Sequence, residues 1–229
     1  MTTAQRSRLA WFVAAALVLL SLIPVLAGTA RVAELSAGPQ LTPENARFVT
    51  SPFPVIAHVV GATLFTMLGA FQFVPALRRR RWHRLVGRVL APAGLVAALS
   101  GLWMAAFTRL PDHDGPLLLV FRLVFGVLMV AAIVLALVAV RRRRFAAHGA
   151  WMTRAYALGA GAGTQAVVLA VWSTAVGEPD ATVRAVLMGG AWALNLGVAE
   201  LANLRRAGRG ARMRRAPGRA DASINTSFS

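Results

Sequence analysis

The sequence has no cysteine and no lysine, a single tyrosine, and only eight acidic residues against 25 basic ones. Without cysteine there is no disulfide, no iron–sulfur ligation, no thiol nucleophile and no covalent c-type haem attachment. The shortage of carboxylates excludes more. Glu200 is the only one inside an apolar run, so hydrolysis by paired acids and a carboxylate proton relay both lack their residues. Charge of either sign is scarce, at 14% of 229 residues, where a soluble domain carries about 25%. What is present instead is apolar: 57% of the chain, with a mean hydropathy of +0.61.

That apolar content is gathered into six runs, at about 9–28, 53–77, 89–107, 117–140, 155–176 and 185–204. Each matches the 17–25 residues, roughly, that a helix needs to cross a bilayer. Lipid offers no hydrogen bonds, so such runs must satisfy their backbone internally, as helices. The short alternating segments of a membrane β-barrel are absent. The expectation is an all-α integral membrane bundle of six transmembrane helices. The first run has the basic, apolar, small-residue order of a signal peptide but exceeds the usual apolar core, so it reads as an uncleaved anchor.

All 25 basic residues are arginines, and they alternate loop by loop. Twenty fall before span 1, in 78–88, in 141–154 and in the tail from Arg205; five (Arg31, Arg47, Arg109, Arg122, Arg184) fall on the other side among acidic residues. The positive-inside rule then places both termini in the cytoplasm, N-in/C-in, in the inner or plasma membrane of a cell. The arginine blocks face anionic lipid headgroups, and their distribution points to the bilayer rather than to nucleic acid. The tail 205–229, rich in Arg, Gly and Ser, reads as a disordered basic segment.

Two blocks share a pattern: RRRRWHR in 78–84 and RRRRFAAH in 141–148. Each joins an inward helix to an outward one, so spans 2–5 read as two hairpins related by a pseudo-two-fold axis, forming a four-helix core with spans 1 and 6 outside it. The glycines at 159, 161 and 163 and at 189–190 read as close helix contacts. Pro75 and Pro92 are the in-span breaks the sequence offers within that core.

Polar groups inside spans are costly and each needs a reason. Gln72, Gln165 and Asn195 read as interhelical hydrogen bonds, and Glu200 as the partner of an inner-face arginine such as Arg205. His83 and His148 open spans 3 and 5, equivalent positions of the repeat. They could face each other as the two metal ligands of a b-type haem, with Arg88 and Arg154 near enough to hold its propionates. The alternative is two headgroup-level histidines with no cofactor. His58 lies too far away to join them, about 30 Å along its helix. Its repeat counterpart falls at 121–123, where Arg122 stands instead of a second imidazole. His58 and Arg122 therefore form a possible outer-side site for an anionic or quinone-like molecule, or a structural pairing with outer carboxylates such as Asp112.

His58-x-x-Gly61, GAFQFVPALRRR, His83-Arg-x-x-Gly-Arg88 and His148-x-x-Trp-Met-x-Arg154-x-Tyr-Ala together resemble a bacterial membrane-protein family, domain of unknown function 2306. The resemblance runs from about His58 to Ala157 and implies a multi-pass membrane protein without assigning an activity. The four-helix core is also similar to the two-haem transmembrane cytochromes b, which carry a histidine on each of four consecutive helices. Spans 2, 3 and 5 comply through His58, His83 and His148, and span 4 does not. Three functions follow as expectations: a b-type haem protein exchanging electrons with a quinone or other redox partner, a small-molecule-binding or transport protein, and a cofactor-free structural membrane protein.

Overall fold

The computed structural model describes residues 2–42, 45–78, 81–109, 111 and 113–215. Among these residues it is helical throughout, with no strand. The helices are α1 (Thr3–Ser36), α2 (Ala46–Val49), α3 (Pro52–Phe71), α4 (Pro75–Arg78), α5 (Arg81–Phe107), α6 (Pro116–Arg141), α7 (Phe145–Gly159), α8 (Gly161–Ala175) and α9 (Ala181–Arg215). Six spans, counting α7 and α8 as one, are long and apolar enough to cross a membrane. Their outward faces carry large apolar side chains such as Phe12, Phe53, Phe107 and Leu204. A water-soluble protein would not display so much apolar surface.

The core is two antiparallel hairpins. In the first, α3 packs along α5; in the second, α6 packs along α7; α5 against α6 joins the two. Helix α1 flanks the core against α3 and α8, and α9 flanks it against α6, α7 and α8. Small residues set the closest approaches. A Cβ on Gly61 would lie 2.7 Å from Ala93 O on α5, and one on Gly163 would lie 2.2 Å from Leu20 O on α1. Neither place admits a side chain, so helices that gain nothing from hydrophobic exclusion in lipid gain dispersion contact instead. Between the hairpins, Phe65, Leu90, Ile133 and Tyr156 form the buried centre. The Tyr156 hydroxyl donates to Thr66 O at 2.8 Å, tying α7 to α3.

Several boundaries differ from the sequence expectation, for local reasons. Span 2 ends at Phe71 rather than 77, because Val74 precedes Pro75, which has no N–H to continue the ladder. Span 5 starts ten residues early, at Phe145. Its turn from α6 is a Schellman closure in which Arg143 takes φ +57°, Arg143 N–H donates to Val140 O and Arg144 N–H to Ala139 O. Pro92 leaves α5 unbroken, whereas the fifth span is interrupted at Ala160, between Gly159 and Gly161. The tail expected to be disordered from 205 is helical to Arg215, since Arg and Ala are strong helix formers; the rest of it, 216–229, lies outside the described residues.

Candidate functional site

The two ends of the bundle differ in kind. At one end lie the starts of α5 and α7 and the late turns of α9, with their arginines; at the other lie the starts of α3, α6 and α9. The sequence put His83, His148, Arg88 and Arg154 at the first and His58 with Arg122 at the second.

At the arginine end, His148 Nδ1 lies 3.0 Å from Ala136 O on α6. A carbonyl only accepts, so this nitrogen carries the hydrogen and Nε2 is left as the other ring position. His83 sits half-buried in the first turn of α5 and makes its own contacts, while Arg88 is exposed. Arg154 is already engaged within the protein. Its guanidinium forms a two-pronged ion pair with Glu200 on α9, through Nε to Oε1 and through Nη2 to Oε2 at 2.8 Å. It also stacks 4.4 Å above the Trp151 ring. Glu200 thus pairs across helices with Arg154, where the sequence suggested Arg205. Arg206 donates to Thr153 Oγ1 at 3.0 Å and Asn203 to Ala150 O at 3.3 Å, extending the α7–α9 seam. Among the described residues, no cluster of three or more His, Cys, Asp or Glu could hold a metal ion.

The opposite end holds a cavity of about 350 Å³. That is within the range of small-molecule sites, roughly 300–1,000 Å³. It reaches from Phe48 of α2 and Thr108, just past α5, down to Phe65, Thr66 and Gly159 at mid-bundle. Both hairpins contribute, and both sequence-nominated residues of this end, His58 and Arg122, line it; His83 and His148 do not. His58 is fixed from α5: its Nδ1 lies 2.8 Å from Ala97 O, with Ser100 Oγ at 3.4 Å. The neutral ring then offers Nε2 as an acceptor.

Arg122 is fixed by a residue that sequence reasoning placed only in an outer loop. Asp114, with a side chain 2% exposed, takes Arg122 Nη2 at 2.6 Å on one oxygen and Arg184 Nε at 3.0 Å on the other. Burial pushes this carboxyl up, but the two guanidiniums outweigh it and hold it below the usual carboxylate range. The node joins the α5–α6 loop, α6 and α9. Asp112, the carboxylate suggested for His58, lies outside the described residues.

The base of the cavity is the interruption of the fifth span. Leu158, Gly159 and Ala162 line it there, beside Gln165 and Trp192. Polar side chains tie the break to α9: Asn195 donates to the backbone at Ala157 O at 3.1 Å, Thr164 donates to Asn195 Oδ1 at 3.0 Å, and Gln165 donates to Met188 O of α9 at 3.1 Å. The sequence signal for the break was the alternating Gly–Ala run at 159–163. It reads as packing because glycine serves both purposes.

Comparison with known proteins agrees with the architecture. The family described as "Predicted membrane protein (DUF2306)" matches residues 55–203, which take in both hairpins and most of α9. The chain belongs to the DUF2306 family. In this DUF2306 protein the matched residues cover every lining element of the cavity except α2. No curated protein and no solved structure matches the chain.

Proposed function

We propose that this DUF2306 protein binds, and carries between membrane leaflets or faces, a small amphiphilic molecule held in the cavity between its two hairpins. The observation that carries the reading is the coincidence of three features at one place. A mid-bundle cavity is walled mainly by apolar side chains, it has a few convergent polar groups in His58, Arg122 and Gln165, and its floor is a discontinuous transmembrane helix. Interrupted helices inside a bundle are where transporters place their substrates, because backbone groups released there need a lined cavity or a polar partner. With the arginine end in the cytoplasm by the positive-inside rule, the cavity opens toward the outer face. The arginines of α9 and of the two hairpin turns would then lie against anionic headgroups.

The test is occlusion. The full chain is purified in mild detergent and its bound small molecules are read by native mass spectrometry, beside Ala62→Phe and Ala105→Trp, which fill the cavity from α3 and α5. A bound species present in the native protein and absent from both variants is the expected result. Variants that fold and retain the same bound species would end this reading.

A haem reading has one observation in its favour. A ligating imidazole normally donates its second ring N–H to a carbonyl or carboxylate, and His148 does so to Ala136 O. The propionate partners fit poorly, since Arg154 is committed to Glu200. A reduced-minus-oxidised absorption spectrum of protein expressed with added haem decides it. A b-type α-band lost in His83→Ala and in His148→Ala supports haem, and a blank spectrum removes it.

A further inference from the structure

Among the described residues, the charges at the cavity mouth do not balance. Arg122 and Arg184 bring two positive charges to Asp114, whose single carboxylate is already bonded to both. Among the described residues no other carboxylate lies within ion-pair distance of either guanidinium. Glu34 of α1 is closed onto Arg31, which also stacks 4.6 Å over Phe48. Among the described residues, one of the two positive charges is therefore left without a carboxylate of its own, at a place where the surrounding helices lower the dielectric and strengthen any anion's attraction.

Geometry assigns that charge to Arg122. Arg184 engages Asp114 through Nε and does not line the cavity, whereas Arg122 lines it and spends only Nη2 on Asp114. A guanidinium has five N–H donors in a planar fork that suits a carboxylate. Asp114 and Arg184 thus act as positioning residues that hold Arg122 at the mouth. His58 adds no second cation when its ring is neutral, because Nδ1 must donate to Ala97 O and Nε2 is then an acceptor. Below the mouth the walls are Phe65, Phe125, Met129 and Trp192, with nothing ionisable at that depth among the lining residues.

We infer that the ligand is an amphiphile with an anionic, carboxylate-type head bound by Arg122 and an apolar body running inward toward Phe65 and Gly159. The inference rests on the cavity being the ligand site and adds the class of molecule it selects. Head and chain are recognised separately: the head by one fixed guanidinium, the chain by aromatic and thioether surface that is indifferent to detailed structure.

Trp192 provides the readout, since it lines the cavity and stacks on Phe125 with ring centroids 5.0 Å apart. The full-length protein in detergent is titrated with ω-bromoundecanoate and with ω-bromoundecanol, two heavy-atom quenchers that share a chain and differ in the head. The signal is the quenching that disappears in Trp192→Phe, which removes contributions from lipid-facing tryptophans. The acid should bind at least about tenfold tighter than the alcohol, the worth of a hydrogen bond to a charged group. Arg122→Gln should abolish that preference and Arg122→Lys should keep most of it. Equal affinities for acid and alcohol in the native protein, with Trp192 still quenched, would overturn the head-group inference and leave the cavity as a binding site. An acid preference that survives Arg122→Gln would overturn the assignment to Arg122. Failure of both probes to quench Trp192 would remove the inference and the cavity reading together. Should Arg122→Gln not fold, Asp114→Asn decides instead: it removes the contact that positions Arg122 and should shift the acid-to-alcohol affinity ratio from its native value, and an unchanged ratio would overturn the assignment to Arg122.

Discussion

His58 and Arg122 each stand six residues after the proline that opens their helix, α3 in the first hairpin and α6 in the second. The frames are the same and the chemistry is not. The first hairpin presents an imidazole fixed by a backbone carbonyl of its own partner helix; the second presents a guanidinium fixed by a buried carboxylate from a loop. Both side chains line one cavity. Two hairpins of like order therefore build an asymmetric site, with an acceptor on one side and a cation on the other. Equivalence of position indicated where the second polar group would be, and left its identity open.

The difference extends to how each hairpin is held, and the largest expected effect follows from that. Helix α1 packs along α3 of the first hairpin and reaches the second at Gly163, whose absent side chain lets α8 touch the backbone of Leu20. Gly163→Leu puts a branched side chain into that contact and cannot be relieved by a rotamer change. The expected loss is about 3 kcal/mol or more, at or beyond the upper end of overpacking costs. It should appear as a large drop in the thermal midpoint of the purified protein in detergent. Little change would mean that α1 is not needed to hold α8, and that the hairpins differ less than their packing indicates.

Next in size is the carboxylate node at the second hairpin. Asp114→Asn leaves Arg122 and Arg184 facing each other without their shared counter-charge. Removing one partner from a buried ion pair costs about 3–5 kcal/mol, and the partial exposure of the two arginines puts this case near or below the lower figure. The same node sets a pH dependence. Its carboxyl is held below the ordinary carboxylate value in the folded protein, so the stabilisation is fully present above the unfolded value of about 3.9 and is lost as the pH falls through the lower folded value. The thermal midpoint should be flat from neutral pH down to about pH 5 and decline below about pH 4. Asp114→Asn should flatten that decline; an unchanged acid limb in the variant would assign the titration elsewhere.

Much of this arrangement was legible in the sequence because bilayer physics leaves few alternatives. Six long apolar runs allow little except six helices, and the arginine blocks marked both hairpin turns. His58 and Arg122 were legible as a pair because intramembrane polar groups are rare enough to be conspicuous. Asp114 was not. In PDHDGP it looks like any loop carboxylate, and only the fold brings Arg184, seventy residues away, to its second oxygen. The break at Ala160 was hidden for a different reason. A run of glycine and alanine has the same appearance whether it lets helices approach or lets one helix interrupt itself, and here it does both: Gly163 meets the Leu20 backbone, while Gly159 and Gly161 flank the break and also make room for Phe65 and Trp192. Arg154 with Glu200 shows the remaining limit: an inner-face partner was expected for the carboxylate, but helix-to-helix register chose which arginine supplied it.

A smaller pair of effects compares a glycine of the His58-x-x-Gly61 stretch in the first hairpin with one of the His148-x-x-Trp151 stretch in the second. Gly61 meets the α5 backbone, whereas Gly149, directly after His148, has open space where a Cβ would be. Gly61→Ala should cost about 1–3 kcal/mol through forced separation of α3 from α5. Gly149→Ala should be neutral or stabilising by up to about 1 kcal/mol, because alanine restricts the unfolded chain and favours the helix. Similar penalties at both positions would show that the second hairpin packs as tightly at its arginine end as the first does at mid-membrane.

The smallest effect separates topology from local structure in the second arginine block. Arg143 occupies the left-handed position of the Schellman turn at φ +57°, where a glycine is the usual residue and a side chain costs about 1–2 kcal/mol. Arg143→Gly should therefore stabilise the turn, by less than that range since glycine loses more freedom on folding. The thermal midpoint should rise slightly while the protein inserts with unchanged orientation, as read by protease access to a tag on each terminus. A strained arginine that can be removed without losing orientation would show that the three neighbouring arginines suffice for anchoring. If orientation becomes mixed instead, the strain at Arg143 is tolerated because the charge there is needed to keep this turn on its side of the membrane, a demand the first hairpin meets with a further arginine at position 84.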